Sequence, residues 1–166
     1  MDKILMRKLR EQTVQICDKE GNARGTGFFV TDNLVATVSH CIVSDDGSVI
    51  SPVELFRGSQ KVCDGHPMGA ENEIAFIYAS SPCRQEDRLP VGYCRGLGFG
   101  DEADVYGYPQ KQPEGYPLSG IEISGNFLED GNETGPSIQC MVRNKEGALN
   151  RYNGLSGSPM VAENCI

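Results

Sequence analysis

From Thr13 onward the chain never sustains an apolar pattern for long before turn residues interrupt it, and that punctuation constrains the fold more than any other feature. Short apolar or alternating runs recur at Thr13 to Cys17, Phe28 to Val30, Leu34 to Val38, Val49 to Phe56 and Ile74 to Tyr78. Alternation over so few residues fits strands that bury one face, whereas a helix needs a 3.6-residue repeat held over ten or more positions. Twenty glycines and nine prolines punctuate the runs, at Gly21, Asp45-Asp46-Gly47, Gly65-His66-Pro67, Pro113-Glu114-Gly115 and Asp130-Gly131-Asn132. Such residues suit tight strand connections. Further strands are expected at Leu118 to Ile123 and Ser137 to Val142. The expectation is an all-β chain with no internal repeat.

Met1 to Gln12 is the exception, mixing Lys3, Arg7, Lys8 and Arg10 with Ile4, Leu5, Met6 and Leu9. It reads as a short amphipathic helix docked on the body before the first strand, without the uninterrupted apolar stretch of a secretory signal. No segment has the length and apolarity to span a bilayer. At 166 residues, folding would bury roughly 70% of the unfolded surface, enough for one domain with its own core. A net charge of −8 leaves no basic stripe to neutralise phosphates, so neither nucleic acid nor an anionic membrane is expected as a partner.

Two segments carry the chemistry. Gly154-Leu155-Ser156-Gly157-Ser158-Pro159 frames a serine with glycines, and Thr37-Val38-Ser39-His40-Cys41 holds one of only two histidines. A serine hydroxyl becomes a nucleophile when an imidazole takes its proton, and the glycines let the backbone turn sharply and present N–H groups to an oxyanion. The candidate donors are Gly154 and Ser156. The second imidazole, His66, lies in Asp64-Gly65-His66-Pro67, read as a turn-like, solvated stretch.

These segments and three others resemble a chymotrypsin-fold serine peptidase of the bacterial, non-zymogen kind. Gly25 to Val30 is similar to the strand leading toward the catalytic histidine of that family, and Leu34 to Cys41 to the strand and turn that carry it. Glu73-Ile74-Ala75-Phe76-Ile77 resembles its acidic residue followed by a buried strand. Val105-Tyr106-Gly107-Tyr108-Pro109 resembles the strand end opening its second half. The order His, acid, Ser is the chymotrypsin order. The resemblance implies two packed Greek-key barrels in one domain over residues 1–166. Its expected parts are a helix at 1–12, a first barrel at 13–80, a crossover at 81–102 and a second, truncated barrel at 103–166.

It also implies a triad of Ser156, His40 and Glu73, acting on a polypeptide substrate without metal or cofactor. Glutamate stands where most relatives have aspartate, so its carboxylate must approach from another distance, and Glu71 and Asp64 remain alternatives. Leu155 stands where zymogen-derived relatives have the aspartate that pairs with a new N-terminal amine, so activation by N-terminal trimming is not expected. Asn150 and Arg151 fall near the position that selects substrate in the family; Arg151 would suit an acidic residue before the scissile bond if it points inward.

Seven cysteines without a C-x-x-C pair argue against a structural zinc site or a disulfide framework. Secreted relatives bridge the Cys41 position to the preceding strand, and no cysteine is available there, which suits a reducing cytoplasm. Asn132-Glu133-Thr134 matches the glycosylation pattern, without meaning in that setting. Only ten residues follow Ser156, whereas relatives continue through strands that complete the second barrel. The expectation is an N-terminal protease module of a larger bacterial protein, with further domains or a regulator completing the barrel. The alternative is a catalytically inactive module that binds extended peptides or a partner. A cysteine hydrolase fails because no cysteine has a comparable glycine frame.

Overall fold

The computed structural model describes residues 3–91, 100–110, 120–128, 139–142 and 155–162. Six antiparallel strands form a closed barrel: β1 (Thr13–Cys17), β2 (Ala23–Phe29), β3 (Leu34–Val38), β4 (Val53–Arg57), β5 (Gln60–Glu71) and β6 (Ile74–Ala79). Their order around the barrel is β1-β2-β3-β6-β5-β4, and pairing of Gln15 with Phe56 and Cys17 with Glu54 closes it. Closure leaves no unpaired edge. Alternation sorts the side chains: in β6, Ala75, Ile77 and Ala79 point inward while Ile74, Phe76 and Tyr78 face out. The interior is filled by Val14, Ile16, Phe29, Val35, Val53 and Leu55, none with measurable exposure.

A second, four-stranded antiparallel sheet follows, ordered β10-β7-β8-β9. It comprises β7 (Glu102–Gly107), β8 (Ile121–Leu128), β9 (Gln139–Val142) and β10 (Met160–Ala162). Among the described residues this sheet does not close into a barrel. The all-β expectation holds, with one short N-terminal helix.

That helix, α1 (Lys3–Gln12), buries Met6, Leu9 and Gln12. Met6 and Leu9 pack with Tyr106 and Tyr108 of the second half, and Arg10 lies 5.8 Å over the Tyr106 ring. The helix ends where β-branched Thr13 and Val14 begin, residues that pack better on a pleated surface. Thr13 marks the switch by donating its hydroxyl to the Leu9 carbonyl at 2.7 Å. Gln12 donates to the Phe29 carbonyl at 2.7 Å and accepts the Leu89 N–H at 3.2 Å, tying helix, barrel and crossover together.

Two expectations fail. Asp64-Gly65-His66-Pro67 is no turn but the middle of β5, where His66 pairs with Tyr78 and faces solvent. Gly65 is there because the barrel is crowded: a Cβ would stand 2.6 Å from Ile77 Cγ2 and 3.0 Å from Val53 Cγ2. Pro67 is accommodated at a bulge, where the register shifts between Pro67 and Gly69. The strand expected from Val49 begins only at Val53, Val49 instead forming an isolated bridge with Val43.

Candidate active site

His40 sits in a 3₁₀ turn, Ser39–Cys41, that caps β3. Its neighbours on either side anchor it. Cys41 is fully buried in the barrel core, and the Ser39 N–H donates to the Glu73 carbonyl at 2.8 Å. His40 itself is exposed. Because Val38 pairs with Ile74, and Ile74 with Glu71, the ends of β3, β6 and β5 meet here.

Glu73 lies in the two-residue connection between β5 and β6. Asn72 (φ 48°) and Glu73 (φ 70°) are both left-handed, the backbone of a type I′ hairpin turn. Its backbone is tied to the residue before His40, and its side chain is exposed. Asp64 lies away from this turn: its main-chain carbonyl accepts the Ser80 N–H at 2.9 Å, at the other end of β6 and about 20 Å along the strand from Ile74, and its carboxylate meets Lys61 at 2.9 Å. Glu71 stays near by virtue of its pairing with Ile74. Among the described residues, no hydrogen bond or ion pair joins His40 to the Glu73 carboxylate or to Ser156.

Ser156 lies in a turn closed by the Ser158 N–H donating to the Leu155 carbonyl at 2.9 Å. The turn is docked on the first barrel through main chain: the Ser156 carbonyl accepts the Thr26 N–H at 2.9 Å, and the Cys41 thiol reaches the same oxygen at 3.6 Å. Gly157 has φ 84°, and a Cβ there would overlap the Thr26 carbonyl and the Thr37 hydroxyl. Gly157→Ala therefore meets both backbone strain and a clash. It is expected to push the serine turn off β2 and cut any Ser156 reactivity about 100-fold, read as the rate of labelling by a fluorophosphonate. Gly154, Asn150 and Arg151 lie outside the described residues.

Sequence reading did not find this anchoring. Thr26 and Gly25 belonged to a recognised block, yet only the register shows that they face Cys41 and Ser156. A Cβ on Gly25 would stand 3.4 Å from the Cys41 Cβ and overlap its sulfur, so the absent bridging partner of Cys41 corresponds to position 25. Gly25→Cys is expected to form a disulfide with Cys41 on oxidation, since that spacing is close to the usual Cβ–Cβ separation. The bridge should stabilise the oxidised variant by about 3 kcal/mol over its reduced form, measured by denaturant unfolding with and without reductant. A reduced variant as stable as the oxidised one would refute the geometry.

A cleft of about 490 Å³ opens beside His40, lined by Arg24, Ser39, Ser44, Asp45 and Gln110 among others. Arg24 donates to the Val43 carbonyl at 2.8 Å and Gln110 to the Ala23 carbonyl at 3.3 Å, so the walls come from both halves. The described cysteines, 17, 41, 63 and 83, are free and buried. Burial pushes the Cys41 thiol up, more than the Thr37 hydroxyl and the Val38 backbone lower it, so the thiol stays protonated and unreactive near neutral pH. Among the described residues, no group of His, Cys, Asp and Glu is arranged to hold a metal, and no helix is long and apolar enough to cross a membrane.

A closed six-stranded barrel, a second antiparallel sheet, and a histidine turn and serine turn meeting between them define the trypsin-like serine protease fold. Solved structures of that class superpose on nearly the whole chain. Rv3671c from M. tuberculosis, in a serine-to-alanine inactive form, matches with a TM-score of 0.61 at 13% identity, covering 96% of this chain and 72% of that one. The serine endoprotease of Yersinia pestis matches with a TM-score of 0.64 at 16% identity, covering 96% of this chain and 52% of that one. Neuropsin from mouse brain matches with a TM-score of 0.63 at 15% identity, covering 95% and 80%. No family model and no curated protein matches the sequence. At such identities the likeness is one of fold.

Proposed function

We propose that the chain is a serine endopeptidase that hydrolyses peptide bonds through an acyl-enzyme. Ser156 Oγ attacks the scissile carbonyl while His40 takes its proton, and Glu73 orients the imidazole and offsets its charge. The N–H groups of Gly154 and Ser156 receive the oxyanion. His40 then returns the proton to the departing amine, and a water molecule deprotonated by His40 releases the acyl group. The observation that carries this reading is the Ser156 carbonyl held by the Thr26 N–H and the Cys41 thiol. A turn that could have lain anywhere is fastened to the residue next to His40.

The substrate class is polypeptide, entering along the polar cleft beside His40. The open edges of the second sheet, among the described residues, give a further domain or a regulatory protein a place to add a strand. Such a setting fits a protease module within a larger bacterial protein. Four free, buried thiols fit a reducing, cytoplasmic setting.

One observation favours the alternative, an inactive peptidase-fold module that binds extended peptides or a partner: His40 is hydrogen-bonded to neither Glu73 nor Ser156. A fluorophosphonate probe separates the two. Covalent labelling of Ser156, located by peptide mass and lost in His40→Ala, is the expected result. An unlabelled serine in protein that still binds peptides establishes the module instead.

A further inference from the structure

We propose that Thr26 is a positioning residue whose hydroxyl couples the docking of the second half of the molecule to the setting of the serine turn, an inference that rests on Ser156 being the nucleophile.

Thr26 is fully buried in a strand whose neighbouring residues are Gly25, Gly27, Phe28 and Phe29. A hydroxyl in such surroundings is costly unless it is used. All three of its polar groups are used, each toward a different segment. Its N–H donates to the Ser156 carbonyl at 2.9 Å. Its carbonyl accepts the Thr37 hydroxyl of β3 at 2.7 Å and lies against Gly157. Its Oγ1 accepts the Tyr108 N–H at 2.9 Å, just past the end of β7. The end of β7 touches the serine turn as well, since a Cβ on Gly107 would stand 2.8 Å from Leu155 Cδ2.

Residue 26 is thus where β2, β3, the end of β7 and the serine turn meet. The consequence is mechanical. The direction of Ser156 Oγ and of its N–H depends on the peptide planes on either side of Ser156, and one of those planes is fixed by Thr26. If the Tyr108 N–H loses its acceptor, β7 and the serine turn are free to shift relative to β2. A displacement of about 1 Å at a reacting group costs on the order of 100-fold in rate.

Thr26→Val keeps volume and β-branching but leaves the Tyr108 N–H without its acceptor, whereas Thr26→Ser keeps the hydroxyl. At temperatures where all three proteins are fully folded, Thr26→Val is expected to slow fluorophosphonate labelling of Ser156 about 10- to 100-fold, and Thr26→Ser to recover most of that loss. In parallel, amide exchange at residue 26 and Ser158 should accelerate in Thr26→Val, while Val14 and Ile77 in the barrel keep their protection. A Thr26→Val protein with a lowered unfolding midpoint but wild-type labelling makes Thr26 a packing residue and overturns the proposal. So does unchanged exchange at residue 26 and Ser158. If wild-type protein is not labelled at all, the nucleophile assignment fails by itself, and the exchange comparison alone decides whether Thr26 holds the turn.

Discussion

Replacing Ser156 with alanine is expected to lower peptide hydrolysis about 10⁶-fold and to abolish fluorophosphonate labelling, with stability changed by less than about 0.5 kcal/mol. The fold should survive because the turn is fastened through the Ser156 carbonyl and the Gly157 backbone, neither of which the substitution touches. His40→Ala should cost a similar factor, and the double variant no more than either alone, because nucleophile and base act as one unit. His40 is exposed, so its truncation removes little packing. Steady-state kinetics on an unstructured protein substrate, with circular dichroism on each variant, measures both quantities. Hydrolysis persisting in Ser156→Ala at wild-type rates would remove the nucleophile and with it the acyl-enzyme.

The same local logic explains which parts of the molecule could be read from residues alone. β1 and β3 run from Thr13 to Cys17 and from Leu34 to Val38, the bounds expected from the sequence, because each is a short run of mostly apolar or β-branched residues buried in the barrel, and the chain leaves the strand conformation where that run stops. β5 was not legible. Its Asp-Gly-His-Pro stretch has the composition of a turn, yet the glycine answers to side chains of β4 and β6 that pack where its Cβ would be, and those neighbours are set by register across the barrel. Pairing of this kind is invisible to a local pattern.

The site divides along the same line. His40 and Ser156 stand out because glycines and a strand-end histidine are local signals. Their attachment through Gly25, Thr26 and Cys41 joins segments more than a hundred residues apart in sequence. No local cue carries it, although a lone threonine between two glycines in an apolar strand was a hint. The left-handed backbone of Glu73 was hidden for another reason: glutamate seldom occupies that region, so nothing in its identity announces the turn.

That backbone makes Glu73 the residue where structure and function can be pulled apart. A side chain in the left-handed region costs roughly 1–2 kcal/mol, and glycine would relieve it at an entropic cost of about 0.5–1 kcal/mol. Glu73→Gly is therefore expected to leave stability unchanged or raise it by up to about 1 kcal/mol, since the Ser39 N–H still finds the main-chain carbonyl of residue 73. Activity should move the other way. If Glu73 is the acid of the proposed triad, its removal leaves the imidazole without the group assigned to orient it and offset its charge, and a fall of about 10⁴-fold in kcat is expected. Glu73→Gln should show a comparable fall with stability untouched, because the side chain keeps its shape and loses only its charge. Strained residues gather at functional sites because the surrounding structure holds them there, and a variant that gains stability while losing turnover is the signature of such a residue. Were Glu73 only a solvated strand start, glycine would stabilise the turn with no loss of rate. Glu71, paired with Ile74 in the neighbouring strand, would then be the carboxylate to test by the same pair of measurements.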